Sequence, residues 1–191
     1  MIVPLVEGHG EVEAADLLLR RIIHREGRFD VYVAGPFRVK RNRIVKEAEL
    51  ERSLALAVRK RAAAAALVLL DADDDCPVEL GQKLRTRALA SSPVPVAVVC
   101  ASREFEAWFL AAKRSLRGLC EIKPDAECVS DAEGIRDAKG RLTANMLGDR
   151  RYLEAADQPT LADGLDFDLA EANARSFRKL CDEVRGVLAG L

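Results

Sequence analysis

Four short apolar runs, Ile2–Val6, Val31–Ala34, Ala66–Leu70 and Val94–Ala101, are built largely from β-branched and small residues and stop abruptly at polar or turn residues. Runs that are apolar throughout, without polar alternation, are the signature of strands buried on both faces of a parallel sheet. The segments between them carry helical spacing. Val12–Arg25 places Leu17–Leu19, Ile22 and Ile23 on one side, Ile44–Arg61 does so with Leu50, Leu54 and Val58, and Val78–Leu89 follows. The order β-α-β-α-β-α-β predicts right-handed crossovers, a mainly parallel four-stranded sheet and helices on both faces. Every strand then ends on one edge, where open α/β sheets bind their ligands.

After Ala101 the pattern changes. Glu104–Leu116 has helical spacing, Pro124–Gly140 is irregular, and helices are expected over Leu142–Leu153 and Leu169–Leu188. Pro159, Asp163, Gly164 and Asp166 read as loop residues, with Asp168 as the N-cap of the last helix. The chain thus divides into an α/β core, residues 1–116, and a helical C-terminal extension, residues 117–191, packed on the same domain. At 191 residues this fits one domain of ordinary size.

Charge limits the partners. Thirty basic and 31 acidic residues give a net charge of −1, so no overall field holds nucleic acid, and any such contact needs a local patch. The run Arg38, Lys40, Arg41, Arg43 and Lys46 contains no acid and is the candidate; a solvated helix start is its competing reading. Five scattered cysteines without a C-x-x-C pair suggest neither a disulfide framework nor a zinc site, which suits a cytoplasmic protein. MIVPLVEGHG lacks a basic leader, and Ala62–Leu70 is too short for a bilayer, which needs about 20 residues.

Acidic residues gather where the strands stop. In V-E-G-H-G-E, Glu7 follows the first strand, Gly8 and Gly10 permit a tight turn, and Glu11 opens the next helix. The competing reading is that Glu11 only complements the helix N-terminus and Glu7 is solvated in a loop. In L-V-L-L-D-A-D-D-D, Asp71 and Asp73 are two apart and share a side of an extended strand end, a common way to present oxygens to a hard cation. Asp74 and Asp75 read as caps of the following helix. Repulsion among so many carboxylates raises the case for Mg²⁺ or Mn²⁺. An EF-hand is excluded, because Cys76 and Gln82 stand where that loop needs Gly and Glu. A D-x-D-x-T phosphatase is disfavoured, since the D-A-D lies on the third strand and Asp75 replaces the threonine. After the fourth strand come Ser102 and Glu104, with Glu106 a lesser candidate, while Phe105, Trp108 and Phe109 read as core.

Taken together, E-G-x-G-E, D-A-D and S-R-E in this order resemble the TOPRIM fold, a Rossmann-like metal-binding module. The E-F-E-A-W signature resembles a bacterial family of stand-alone TOPRIM-like proteins related to OLD-family nucleases. That resemblance implies a metal-dependent nuclease acting on DNA or RNA. Glu7, Glu11, Asp71, Asp73 and Glu104 would hold metal, and Glu7, Ser102, Glu104 and Lys139 would serve catalysis. OLD nucleases carry an ATPase domain. This chain has no Walker A loop, so the resemblance implies either a separate ATPase partner, in a defence-type system, or a non-catalytic binding subunit of such a complex.

Overall fold

A computed structural model describes all residues, Met1–Leu191. Four parallel strands form one sheet in the order β2-β1-β3-β4, with β1 at Ile2–Val6, β2 at Phe37–Arg38, β3 at Ala65–Asp71 and β4 at Val96–Ala101. Along each long strand successive residues enter opposite cores, as the two-residue period demands. Ala65, Leu67 and Leu69 of β3 face one core, and Ala66, Val68 and Leu70 the other. Helices α1 at Gly10–Arg25 and α4 at Pro77–Ser91 lie where the apolar spacing predicts them, whereas the helix expected over Ile44–Arg61 is divided at left-handed Ala48 into a single turn, α2, at Arg41–Ile44 and α3 at Glu49–Arg61. Leu18, Leu19, Ile22 and Ile23 of α1 cover the first face; Leu50 and Leu54 of α3 and Leu84 of α4 cover the second.

The second strand departs from expectation. Over residues 31–34 only Val33 bridges to Ile2, although Ile2 N donates to Tyr32 O and Ala34 N to Ile2 O. Gly35 and Pro36 then break the ladder, because proline has no N–H to give. Pairing resumes at Leu5 opposite Phe37, near the end of β1.

The chain after β4 completes the larger core. It contains α5 (Ala107–Ala111), α6 (Ala138–Ala144), α7 (Glu154–Gly164), α8 (Phe167–Asn173) and α9 (Arg175–Ala189), with three 3₁₀ turns between α5 and α6. Phe105, Trp108, Phe109 and Phe177 form a fully buried aromatic group there. Three local expectations need correction. The helix expected over 142–153 ends at Asn145, after which the chain turns through left-handed Gly148. Pro159, Asp163 and Gly164 lie inside α7, whose Gln158, Leu161 and Ala162 are buried; tertiary packing overrides the loop composition. The last helix is two, broken at Ala174, and Asp166 rather than Asp168 caps α8 by accepting from Leu169 N.

Candidate functional site

The chain leaves β1 toward β2 on one side and returns to β3 on the other, so the ends of β1 and β3 flank the point where strand order reverses. Crevices at such points are the usual ligand sites of open parallel sheets. Glu7 and Asp71 stand there, one immediately after β1 and one at the last position of β3. Glu11, in the first turn of α1, reaches back between them: its Oε2 accepts from Glu7 N at 2.9 Å and Gly8 N at 3.1 Å. Glu11 thus ties down the turn that leads into α1, and it is a carboxylate only 4% exposed.

The glycines of this turn serve space, not backbone freedom, since neither has positive φ. A Cβ on Gly10 would lie 2.2 Å from Gln158 Oε1 and 2.9 Å from Glu154 O. The start of α7 therefore sits directly on the start of α1, and no other residue fits.

Burial and mutual repulsion govern the carboxylates. Glu7 is pushed up to about 7 by burial, then by Glu11 and Asp73, against the opposing pull of Arg41. Its Oε2 is buried without any hydrogen-bond partner. Burial also raises Glu11, despite its two amide donors. Asp71 is raised well above the ordinary range, first by burial and then by Glu11, Glu106 and Glu7, although Phe105 N donates to its Oδ1 at 2.8 Å. Asp73 is different: it sits in the left-handed region at φ 51°, is 55% exposed, and pairs with Arg41 at 3.1 Å.

Two elements from the C-terminal third close the crevice. Glu104 accepts from Ala138 N at 3.0 Å at the start of α6, and that bond fixes the adjacent Lys139 beside the acids. Asp71, Asp73, Glu104 and Lys139 line one open, wholly polar pocket of about 320 Å³. Lys139 Nζ donates to Glu154 Oε2 at 2.7 Å and lies 3.8 Å from Glu106 Oε1. Burial acts to lower its pKa, but Glu106 and Glu154 outweigh it and the ammonium is held charged.

Glu106 carries more of this arrangement than its sequence reading as a lesser candidate assigns. It is 1% exposed, its Oε1 accepts from Tyr152 Oη at 3.0 Å, and its Oε2 has no partner. Burial pushes it up to about 7. Its signal in the sequence is an acid inside the otherwise apolar run Phe105–Ala112, where a lone carboxylate is out of place. Glu154 and Gln158 have no comparable signal.

Other expected residues land elsewhere. Ser102 lines a separate cavity beside β4, and its N–H donates to Ser176 Oγ at 3.1 Å. Asp74 and Asp75 cap nothing: Asp74 pairs with Arg103 and Arg136, Asp75 with Arg41, and α4 begins after Cys76 without a side-chain cap. The basic run divides. Arg41 is an internal counter-ion that also donates to the carbonyls of Asp71 and Ala72, Arg38 donates to Glu7 O, and Arg43 pairs with Glu49. Lys40 and Lys46 remain exposed.

The donor chemistry suits a hard divalent cation: carboxylate oxygens only, one of them buried and unpartnered on Glu7. As the side chains stand, no three His, Cys, Asp or Glu residues form a group able to hold a metal. Asp73 is turned to Arg41 and Glu11 to the backbone. No helix is long and apolar enough to cross a membrane.

A family model described as a domain of unknown function (DUF4276) matches residues 6–185. No curated protein and no solved structure matches the chain.

Proposed function

We propose that this chain, which belongs to the DUF4276 family, is a metal-dependent phosphodiesterase acting on DNA or RNA, with Mg²⁺ or Mn²⁺ as its metal. The observation that carries this reading is the convergence of Glu7, Glu11 and Asp71 at the strand-order reversal with a charged lysine, Lys139, beside them. Like charges this close cost folding energy unless something compensates them, and such a cost is kept where it serves a ligand.

Glu7, Asp71 and Asp73 would hold the metal, with Glu11 at their back and Glu104 at the pocket's far wall. A bound divalent ion supplies charge to a phosphate oxygen and makes water a nucleophile near neutral pH. The chain's own groups account for the rest. Lys139 presents a fixed positive charge to a substrate phosphate, a task suited to a compact ammonium. Glu104 is a positioning residue, because it ties down the first turn of α6 next to Lys139. Arg38, which donates to Glu7 O, and the exposed Lys40 and Lys46 would supply basic contacts for the substrate backbone.

A second reading is favoured by the ion pairs. Arg41, Arg103 and Arg136 already answer Asp73, Asp74 and Asp75, as in a module that binds without cutting or that is rearranged by a partner such as an ATPase. Supercoiled plasmid, linear DNA and single-stranded RNA incubated with the protein in Mg²⁺, Mn²⁺ or EDTA decide between them. Cleavage that needs metal and disappears in Glu7→Ala and Asp71→Ala supports the enzyme. Metal-dependent thermal stabilisation without turnover, lost in Asp71→Ala, supports the binding module.

A further inference from the structure

On the far side of β4 lies a cavity of about 360 Å³, within the range of about 300–1,000 Å³ typical of small-ligand sites. It has two chemically distinct halves. Its floor is apolar: Val98 and Cys100 come from β4, Pro77 and Val78 from the first turn of α4, and Gly81 adds no side chain. Burial pushes the Cys100 thiol up to about 12, so it stays neutral and adds no negative charge.

The rim is cationic. Arg85 from α4 and Arg175 and Lys179 from α9 surround it. Glu183 is the one carboxylate answering them, shared by Arg85 and Lys179 at 2.5 Å each, and Arg175 has no carboxylate partner. Glu133 also lines the cavity, but it is committed to Arg175 N at 3.0 Å, Ser176 N at 2.7 Å and the Ser176 hydroxyl. The side chains of Ser102 and Gln82 line the same space and make no hydrogen bond within the protein.

We propose that this cavity is a binding site for a nucleoside monophosphate, its ring on the Val98–Cys100 floor and its phosphate on Arg85, Arg175 and Lys179. Inorganic phosphate would leave the floor empty, and an apolar molecule would leave Arg85, Arg175 and Lys179 in excess over Glu133 and Glu183. A ring with hydrogen-bonding edges and a doubly charged end meets both halves, with Ser102 and Gln82 free for the edges. The proposal stands apart from the phosphodiesterase reading, because this cavity and the acidic pocket share no lining residue.

The protein carries its own reporter. Trp108 is the single tryptophan, and its Nε1 donates at 2.8 Å to Ser176 Oγ, which lines the cavity. The full-length protein is titrated with adenosine 5′-monophosphate while Trp108 fluorescence is followed, with calorimetry as an independent readout. A saturable change is expected with the nucleotide, while adenosine and inorganic phosphate alone each bind at least about tenfold more weakly, or about 1.4 kcal/mol. The Arg175→Ala/Lys179→Ala double variant, both residues exposed, is expected to lose a similar factor. Gly81→Leu fills the floor, since a Cβ there meets nothing closer than Cys100 Sγ at 3.8 Å, and should abolish binding in a protein that still folds by circular dichroism. Binding should survive Asp71→Ala. No saturable change, a change undiminished in both cavity variants, or one lost in Asp71→Ala overturns the assignment.

Discussion

Ser102 and Glu104 are two residues apart, yet they open onto opposite chemistry. On the Glu104 side, carboxylates outnumber their cations and Glu7 and Glu106 each keep a buried oxygen without a partner. On the Ser102 side, Arg85, Arg175 and Lys179 outnumber the carboxylates of Glu133 and Glu183. Strand parity alone would put both residues on the side of Val98 and Cys100, which face α4; the separation is made where β4 ends, in the turn after Ala101. Arg103, between Ser102 and Glu104, is left-handed at φ 61°, and its carbonyl accepts from Asp73 N at 2.9 Å. A short turn after one strand thus serves two sites of opposite sign, and neither net charge nor overall composition reveals either.

The widest gap between the two sides should appear in metal-dependent cleavage. Glu7→Ala and Asp71→Ala are expected to reduce it to background in a plasmid-nicking assay, while Arg175→Ala/Lys179→Ala leaves it within about twofold, since neither cation pairs with an acid of the crevice. Equal losses on both sides would end the comparison. Next, Lys139→Ala should lower the turnover rate about a hundredfold, in line with loss of one preorganised charge-stabilising group, with partial recovery in Lys139→Arg. Activity unchanged in Lys139→Ala would return this residue to a purely structural tie with Glu154.

A smaller effect should be readable without substrate. Glu7 and Glu106 rise from an ordinary 4.5 to about 7, chiefly through burial, so the fold favours their protonated forms. The stability they contribute is complete below about 4.5 and is lost as pH climbs through about 7. In EDTA the melting temperature should therefore fall from about pH 5 to about pH 8, and Mn²⁺ should remove most of that fall by compensating the ionised carboxylates. The double cavity variant should keep the same slope; a flat profile for the parent protein would remove the case for desolvated acids. Smallest is the effect of the exposed lysines. Lys40→Ala/Lys46→Ala should make the dependence of log binding on log salt shallower, by about 0.9 for each duplex-DNA phosphate that is no longer neutralised, measured by fluorescence anisotropy. An unchanged slope would take these lysines out of the contacts with the substrate backbone.

How far the sequence shows this in advance depends on how locally each feature is encoded. Strands β1, β3 and β4 are legible because burial on both faces leaves no polar position within them. The second strand is half legible: Val31, Val33 and Ala34 are buried as expected, but Gly35–Pro36 moves the paired residues to Phe37–Arg38. In α7, Pro159 and Gly164 give a loop composition that packing against α1 overrules, and the residue that receives this packing, Gly10, lies far away at the other end of the chain. The same distance separates legible from hidden in the site. Glu7, Glu11, Asp71 and Asp73 announce themselves by standing where apolar runs stop. Glu154, Tyr152 and Gln158 matter only through what they touch, and Ser102 is displaced because it continues the Val98–Cys100 set while the left-handed turn at Arg103 carries Glu104 to the other pocket.

The seating of α7 on the first turn of α1 also sets an order of events during synthesis. The acids of residues 7–73 leave the ribosome first, and the lysine and the helix that cover them are made in the last third of the chain. Until Gln158 reaches Gly10, the emerging protein has its repelling carboxylates but not Lys139 to face them. The crevice is therefore complete only once Lys139 and α7 have folded onto the first turn of α1.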